Sequence, residues 1–151
     1  MPRVSLRSAM LCILLTVLAL ASVDIEAAGA RSSARAAFIS DTNHARDNHA
    51  RRDYRVRDSL MDVAQRWANW MAAHHTLRHN PYLSSQVRNW QSLGENVGMG
   101  GSESAIQRAF MNSYSHRDNI LSRQFRQVGI GTARSSDGRL YVDEVFREPR
   151  S

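Results

Sequence analysis

The chain changes its hydrophobic period partway along, which restricts it to folds that keep helices and strands in separate stretches. Leu60, Val63, Ala64, Trp67 and Met71 recur at three- and four-residue spacing, the pattern of a helix with one buried face. Further on, two runs read as strands, Gln127 to Ala133 and Leu140 to Phe146, joined by Ser135-Ser136-Asp137-Gly138. Asp-Gly suits the tight turn of a hairpin because glycine takes a positive φ at no steric cost. Helices early and a hairpin late predict an α+β fold. No internal repeat is visible, which argues against a repeat architecture.

The 42% apolar content overstates what is available for a core, because 20 of the first 30 residues are apolar. Arg3 and Arg7 precede a run from Ala9 to Ala21 broken only by Thr16, and Ala28-Gly29-Ala30 offers a small-residue cleavage site. These are the parts of a secretory signal peptide over residues 1–30, with an uncleaved N-terminal anchor as the alternative. The expected location is therefore secreted, extracellular or cell envelope. Cleavage after Ala30 leaves 121 residues, enough for one modest core and too few for a two-domain enzyme. Cys12, the only cysteine, lies in the leader, so the remainder has no disulfide, thiolate nucleophile or cysteine metal ligand.

All 20 basic residues are arginine, against 14 carboxylates, and the net charge of +6 is unchanged without the leader. Such a surface draws anionic partners, lipid head groups or anionic polymers among them, and also confers solubility. Arg51, Arg52, Arg55 and Arg57 form the nearest thing to a patch, interrupted by Asp53 and Asp58. Without a dense basic run, no specific nucleic-acid surface is expected.

Residues 31–37, rich in Ala, Ser and Arg, read as a spacer, and Phe38 to Arg52 as a polar first helix. The second helix starts at Asp58 or Ser59 as N-cap and frays near His74-His75, before Asn80-Pro81 turns the chain. Val87 to Trp90 and Leu93 to Gly98 suggest two short extended pieces, after which Gly98, Gly100 and Gly101 loosen the backbone. Ser102 caps a third helix carrying Ala105, Ile106, Ala109 and Phe110, and His116 to Leu121 predicts a further helical turn.

Among the six histidines, His44, His49, His74 and His75 fall on polar helices or a helix end, where exposed imidazoles are ordinary. His79 lies in the loop before Asn80-Pro81, His116 at a similar junction, and Glu95 in a nearly uncharged, glycine-rich stretch. Two imidazoles and a carboxylate can hold zinc or another divalent cation with a coordination position left open. Their separations match no short local motif, and a hydrogen-bonded structural cluster is the competing reading.

Several pieces stand in a fixed order: Asn43-x-x-Arg46, Leu77-Arg78-His79-Asn80-Pro81, Gly94-Glu95-Asn96-Val97, Ser115-His116-Arg117-Asp118-Asn119-Ile120-Leu121, Val128-Gly129-Ile130-Gly131 and Tyr141-Val142-Asp143-Glu144-Val145-Phe146. In this the chain resembles a bacterial CAP domain, of the superfamily of cysteine-rich secretory proteins, antigen 5 and plant pathogenesis-related class 1 proteins. The resemblance runs over 38–149, as a single domain. It implies export and an α-β-α sandwich with a small antiparallel sheet between helices. It also implies a cleft lined by two histidines and two glutamates, which binds a divalent cation in some members.

His79, Glu95 and His116 match three of those four positions. Where the second glutamate is expected the chain has Asn112 and Ser113, so Ser113 or water would complete a weaker metal site. Asp143 and Glu144 replace a threonine and glutamine common in bacterial members. Successive strand residues point to opposite faces, so these two cannot act as an acid and base pair, and one reads as a surface charge or an arginine partner. Asn43 and Arg46 read as a structural clamp, Asn96 and Asn119 as structural, and Trp67, Trp70 and Trp90 as core or cleft wall.

The leading expectation is a secreted, non-enzymatic binding module for a lipid, sterol-like or cell-envelope ligand. A metal-dependent hydrolase of peptide or cell-wall bonds is the alternative, with His79 and His116 as ligands and Glu95 as ligand or general base. A binder of anionic polymers through the arginine surface is the third. Ser113 and Ser115 near His116 lack an orienting acid in the sequence, which weighs against a serine hydrolase.

Overall fold

The computed structural model describes residues 28–150. The expected leader lies outside the described residues up to position 27. The chain divides after Ser33; of the first part, residues 28–33 are helical and exposed, and the second part begins at Ala34. Among the described residues no helix is long and apolar enough to cross a membrane.

Residues 28–47 are helical and make up the described part of α1, which includes the stretch 31–37. Its alanines and arginines are strong helix formers, which explains the continuity. Phe38, Thr42 and Arg46 recur every four residues and make its buried face. The helix ends five residues before Arg52, in a turn where Ala50 takes φ 52° and the Arg51 amide reaches back to the Arg46 carbonyl.

After β1 (Arg55–Val56) comes α2 (Asp58–Ala73), whose N-cap is Arg57 in extended conformation, one residue earlier than expected. Asp58 instead falls in the first turn, where its charge favours the helix dipole. The expected strand at Val87 is absent: a four-residue helix, α3 (Leu83–Gln86), closes there, and β2 (Trp90–Gly100) then runs unbroken for 11 residues.

Helices α4 (Glu103–Asn112) and α5 (Tyr114–Leu121) follow, with the Ser102 hydroxyl accepting from the Ala105 amide as expected. The chain ends in β3 (Gln127–Arg134) and β4 (Leu140–Pro149), paired antiparallel around a turn in which Gly138 has φ 82°.

The sheet order is β1-β3-β4-β2, antiparallel except for the short parallel pairing of β1 with β3. This is the α-β-α sandwich, with α2 on one face and α1, α4 and α5 on the other. Strand alternation sorts the side chains between the layers. Val142 and Phe146 of β4 join Phe38, Ile106, Phe110 and Ile120, while Tyr141 and Val145 face Trp67, Met71, Leu60 and Val63 of α2.

Glycines set the layer spacing. A Cβ on Gly129 or Gly131 would lie 2.2 Å from the α2 backbone at Leu60 or Ala64. On β2, a Cβ at Gly98 would meet Ile106 at 2.6 Å and one at Gly94 would meet Phe125 at 2.7 Å. Gly98 and Gly100, which suggested a loosened chain, therefore sit in β2 where Ile106 and Phe110 come too close for a side chain, whereas Gly101 lies past the strand in open space.

Candidate functional site around the outer edge of the sheet

Strand β2 is the outer strand of the sheet, and its alternation decides where the candidate residues go. Glu95 points to the α2 face and Asn96 to the α5 face. On the α2 side, the Trp67 indole donates to the Arg78 carbonyl at 2.9 Å and ties down the loop that follows the helix. Next in that loop, His79 Nδ1 lies 2.5 Å from Glu95 Oε2. The Asn80 amide donates to the same carboxylate at 3.1 and 3.2 Å. The Asn80 side chain closes the turn before Pro81 by accepting from the Tyr82 amide at 2.9 Å. The Glu95 side chain is 6% exposed and that of His79 is 65% exposed, so the imidazole forms the solvent-side wall of a buried carboxylate.

Behind Glu95 lies Asp143, fully buried and with no donor beside either oxygen. Burial above all, and then the charge of Glu95, hold its pKa well above the ordinary carboxylate range. Both effects favour the protonated form of Asp143. Burial also raises the Glu95 pKa, opposed by the hydrogen bonds from His79 and the Asn80 amide.

On the other face Glu144 is equally buried, accepting from Thr42 Oγ1 at 3.2 Å and Asn96 Nδ2 at 3.0 Å. Burial pushes its pKa up to about 7, against those two hydrogen bonds. Neither carboxyl is a surface charge or an arginine partner, contrary to expectation. The reason is β4's position inside the sandwich: with helices on both sides, alternation leads from one interior to another. The two do point to opposite faces, as expected.

On the α5 face, Asn119 Nδ2 donates to the Asn96 side chain at 2.9 Å and to the Glu95 carbonyl at 3.2 Å. Asn96 Nδ2 donates to the His116 carbonyl at 3.1 Å. These amides bind α5 to the strand. The His116 ring stacks on Phe110 at 4.9 Å, and its Nδ1 lies 2.8 Å from Ser113 Oγ, at the junction of α4 and α5. Burial, followed by the neighbouring His79, lowers the His116 pKa and favours neutral imidazole. Asn112 is exposed.

Two half-sites thus flank the edge of β2: His79 with Glu95 on one side, His116 with Ser113 on the other. Among the described residues no three His, Cys, Asp or Glu side chains are grouped closely enough to hold a metal ion. A groove of about 360 Å³ continues from this point along the strand edge, with walls from Leu77, Val97, Met99, Ile106, Ala109 and Phe110 and with Ser113 and His116 at its polar end.

Asn43 and Arg46 lie away from this groove. Asn43 Oδ1 accepts from the Tyr54 amide at 2.9 Å. The Arg46 guanidinium stacks 3.6 Å over the Tyr54 ring and donates to the carbonyls of Arg52, Ile120 and Ser122. Trp67 and Trp70 stack at 4.6 Å, and Trp90 donates to the Ser84 carbonyl. The sequence reading missed Asp143 and Asn80 as parts of the site. A carboxyl inside the otherwise apolar Tyr141 to Phe146 run was the available signal for the first; Asn80 acts through its backbone amide and left none.

Residues 39–146 match the CAP family, the cysteine-rich secretory protein family, and the chain belongs to it. Solved structures agree on the fold. An outer surface protein of Borrelia burgdorferi superposes with a TM-score of 0.68 at 16% identity, over 74% of this chain and 90% of that one. An extracellular SCP-domain protein of Bacillus anthracis gives 0.67 at 22% identity, over 80% of this chain and 41% of that one. A cysteine-rich secretory protein of Staphylococcus aureus gives 0.67 at 18%, over 78% and 39%. The chain thus spans about two fifths of the last two proteins. No curated protein matches it in sequence.

Proposed function

We propose that this is an exported, non-catalytic binding protein for an amphipathic lipid or sterol-like ligand of the cell envelope. The observation that carries the reading is the groove along β2. Its walls are aliphatic and aromatic, and its end presents the Ser113 hydroxyl and the His116 imidazole, a layout suited to an apolar chain with a polar head. Export fits the extracellular and outer-surface descriptions of two similar structures. Displacement of a fluorescent fatty acid, followed by competition with a sterol, tests it. Ala109→Trp, on the exposed side of α4, fills the groove and should weaken binding about tenfold or more. Undiminished binding in that variant, or no binding by the unsubstituted protein, counts against the reading.

A divalent cation is the second reading, favoured by the placement of the His79–Glu95 and His116–Ser113 pairs about the edge of the same strand. It requires the two rings to close over Glu95, and the metal-dependent hydrolase reading stands or falls with it. Calorimetric titration with zinc should then give heat that disappears in both His79→Ala and His116→Ala. Heat that survives in both removes it.

A further inference from the structure

Apart from the β2 groove, the turn after α1, strand β1 and the segment before β3 enclose a concavity of about 540 Å³. Six of its lining residues are arginines and Asp53 is its one carboxylate. The sequence revealed only half of this, because Arg51, Arg52 and Arg55 are local to one another while Arg123 and Arg126 arrive from some seventy residues away.

The arginines divide into two sets. Arg46 and Arg51 are committed to structure, donating to the carbonyls of Ile120, Ser122 and Leu121 and so tying the α1 turn to the end of α5. Arg52, Arg55, Arg123 and Arg126 are exposed, and among the described residues none of their guanidinium groups has a hydrogen-bond or ion-pair partner. Four unpaired cations around one depression repel each other, and the single Asp53 carboxylate offsets only part of that charge.

We infer that this concavity is a binding site for a ligand carrying two or more phosphoryl groups. A guanidinium presents its N–H donors as a rigid fork that matches phosphate oxygens in pairs, and a phosphoryl group brings several such oxygens together with its charge. A single oxyanion is far smaller than the cavity of about 540 Å³, whereas two or more linked phosphoryl groups bring enough charge and acceptor oxygens to engage several of these arginines at once. The site shares no residue with the β2 groove, so the proposal stands independently of the lipid reading.

The test uses the protein with tripolyphosphate as the soluble probe, and phosphatidylcholine vesicles with and without cardiolipin as minority lipid. The variant Arg123→Gln with Arg126→Gln is compared with Arg66→Gln with Arg78→Gln, which removes the same charge from elsewhere. Tripolyphosphate should bind with an affinity that falls as salt rises, weakened at least about tenfold in the Arg123/Arg126 variant and nearly unchanged in the Arg66/Arg78 variant. Vesicle binding that needs cardiolipin and both Arg123 and Arg126 assigns the phosphoryl groups to a lipid head group, and binding of tripolyphosphate alone assigns them to a soluble ligand. Equal weakening in both variants would show only diffuse charge and overturn the proposal, as would failure to bind either probe.

Discussion

Glu144 and His116 set opposing pH limits on stability. With its pKa near 7 in the folded chain against 4.5 for an ordinary glutamate, Glu144 contributes stability in full below pH 4.5 and loses it as the pH rises to 7. The difference is worth about 3 kcal/mol by linkage. His116 acts in the other direction: its lowered pKa costs stability as the pH falls below 6.5. Glu144→Gln retains the shape, and the Thr42 hydroxyl can turn from donor to acceptor to meet the new amide. Urea unfolding should place this variant close to the wild type at pH 4.5 and above it by about 2 kcal/mol at pH 8. A variant weaker than wild type at pH 8 would mean that Glu144 is held as a carboxylate.

Between elements, the tightest constraint is the approach of α2 to β3. Gly129 and Gly131 face the helix, so strand backbone meets helix backbone with nothing in between. Gly131→Ala should cost roughly 3 kcal/mol because neither side can move without shifting a whole element, whereas Gly101→Ala, with open space around it, should cost under about 0.5 kcal/mol. Comparing urea midpoints decides this, and equal midpoints would refute it. Helix α2 and the β3-β4 hairpin were legible in the sequence because periodicity and turn chemistry agree there. The full length of β2 was not, since its glycines look like loop residues until Ile106, Phe110 and Phe125 are seen packed against them.

At the level of the whole molecule, the family motifs pointed to the sandwich and to the residues that flank β2. They could not reveal that an edge strand separates Glu95 from His116, because sequence order is silent about which side of a sheet a loop or helix covers. Nor could they reveal that both faces of β4 are interior, which leaves Asp143 and Glu144 without water. That last arrangement makes folding a chemical reaction with the solvent as well as a change of shape. Near neutral pH the unfolded chain holds these carboxyls ionised, whereas in the folded chain burial shifts both toward the protonated form, with the Glu144 pKa pushed up to about 7. Refolding in a weakly buffered solution should therefore turn an indicator dye toward alkaline in step with the recovery of tryptophan fluorescence, and the Glu144→Gln variant should turn it less.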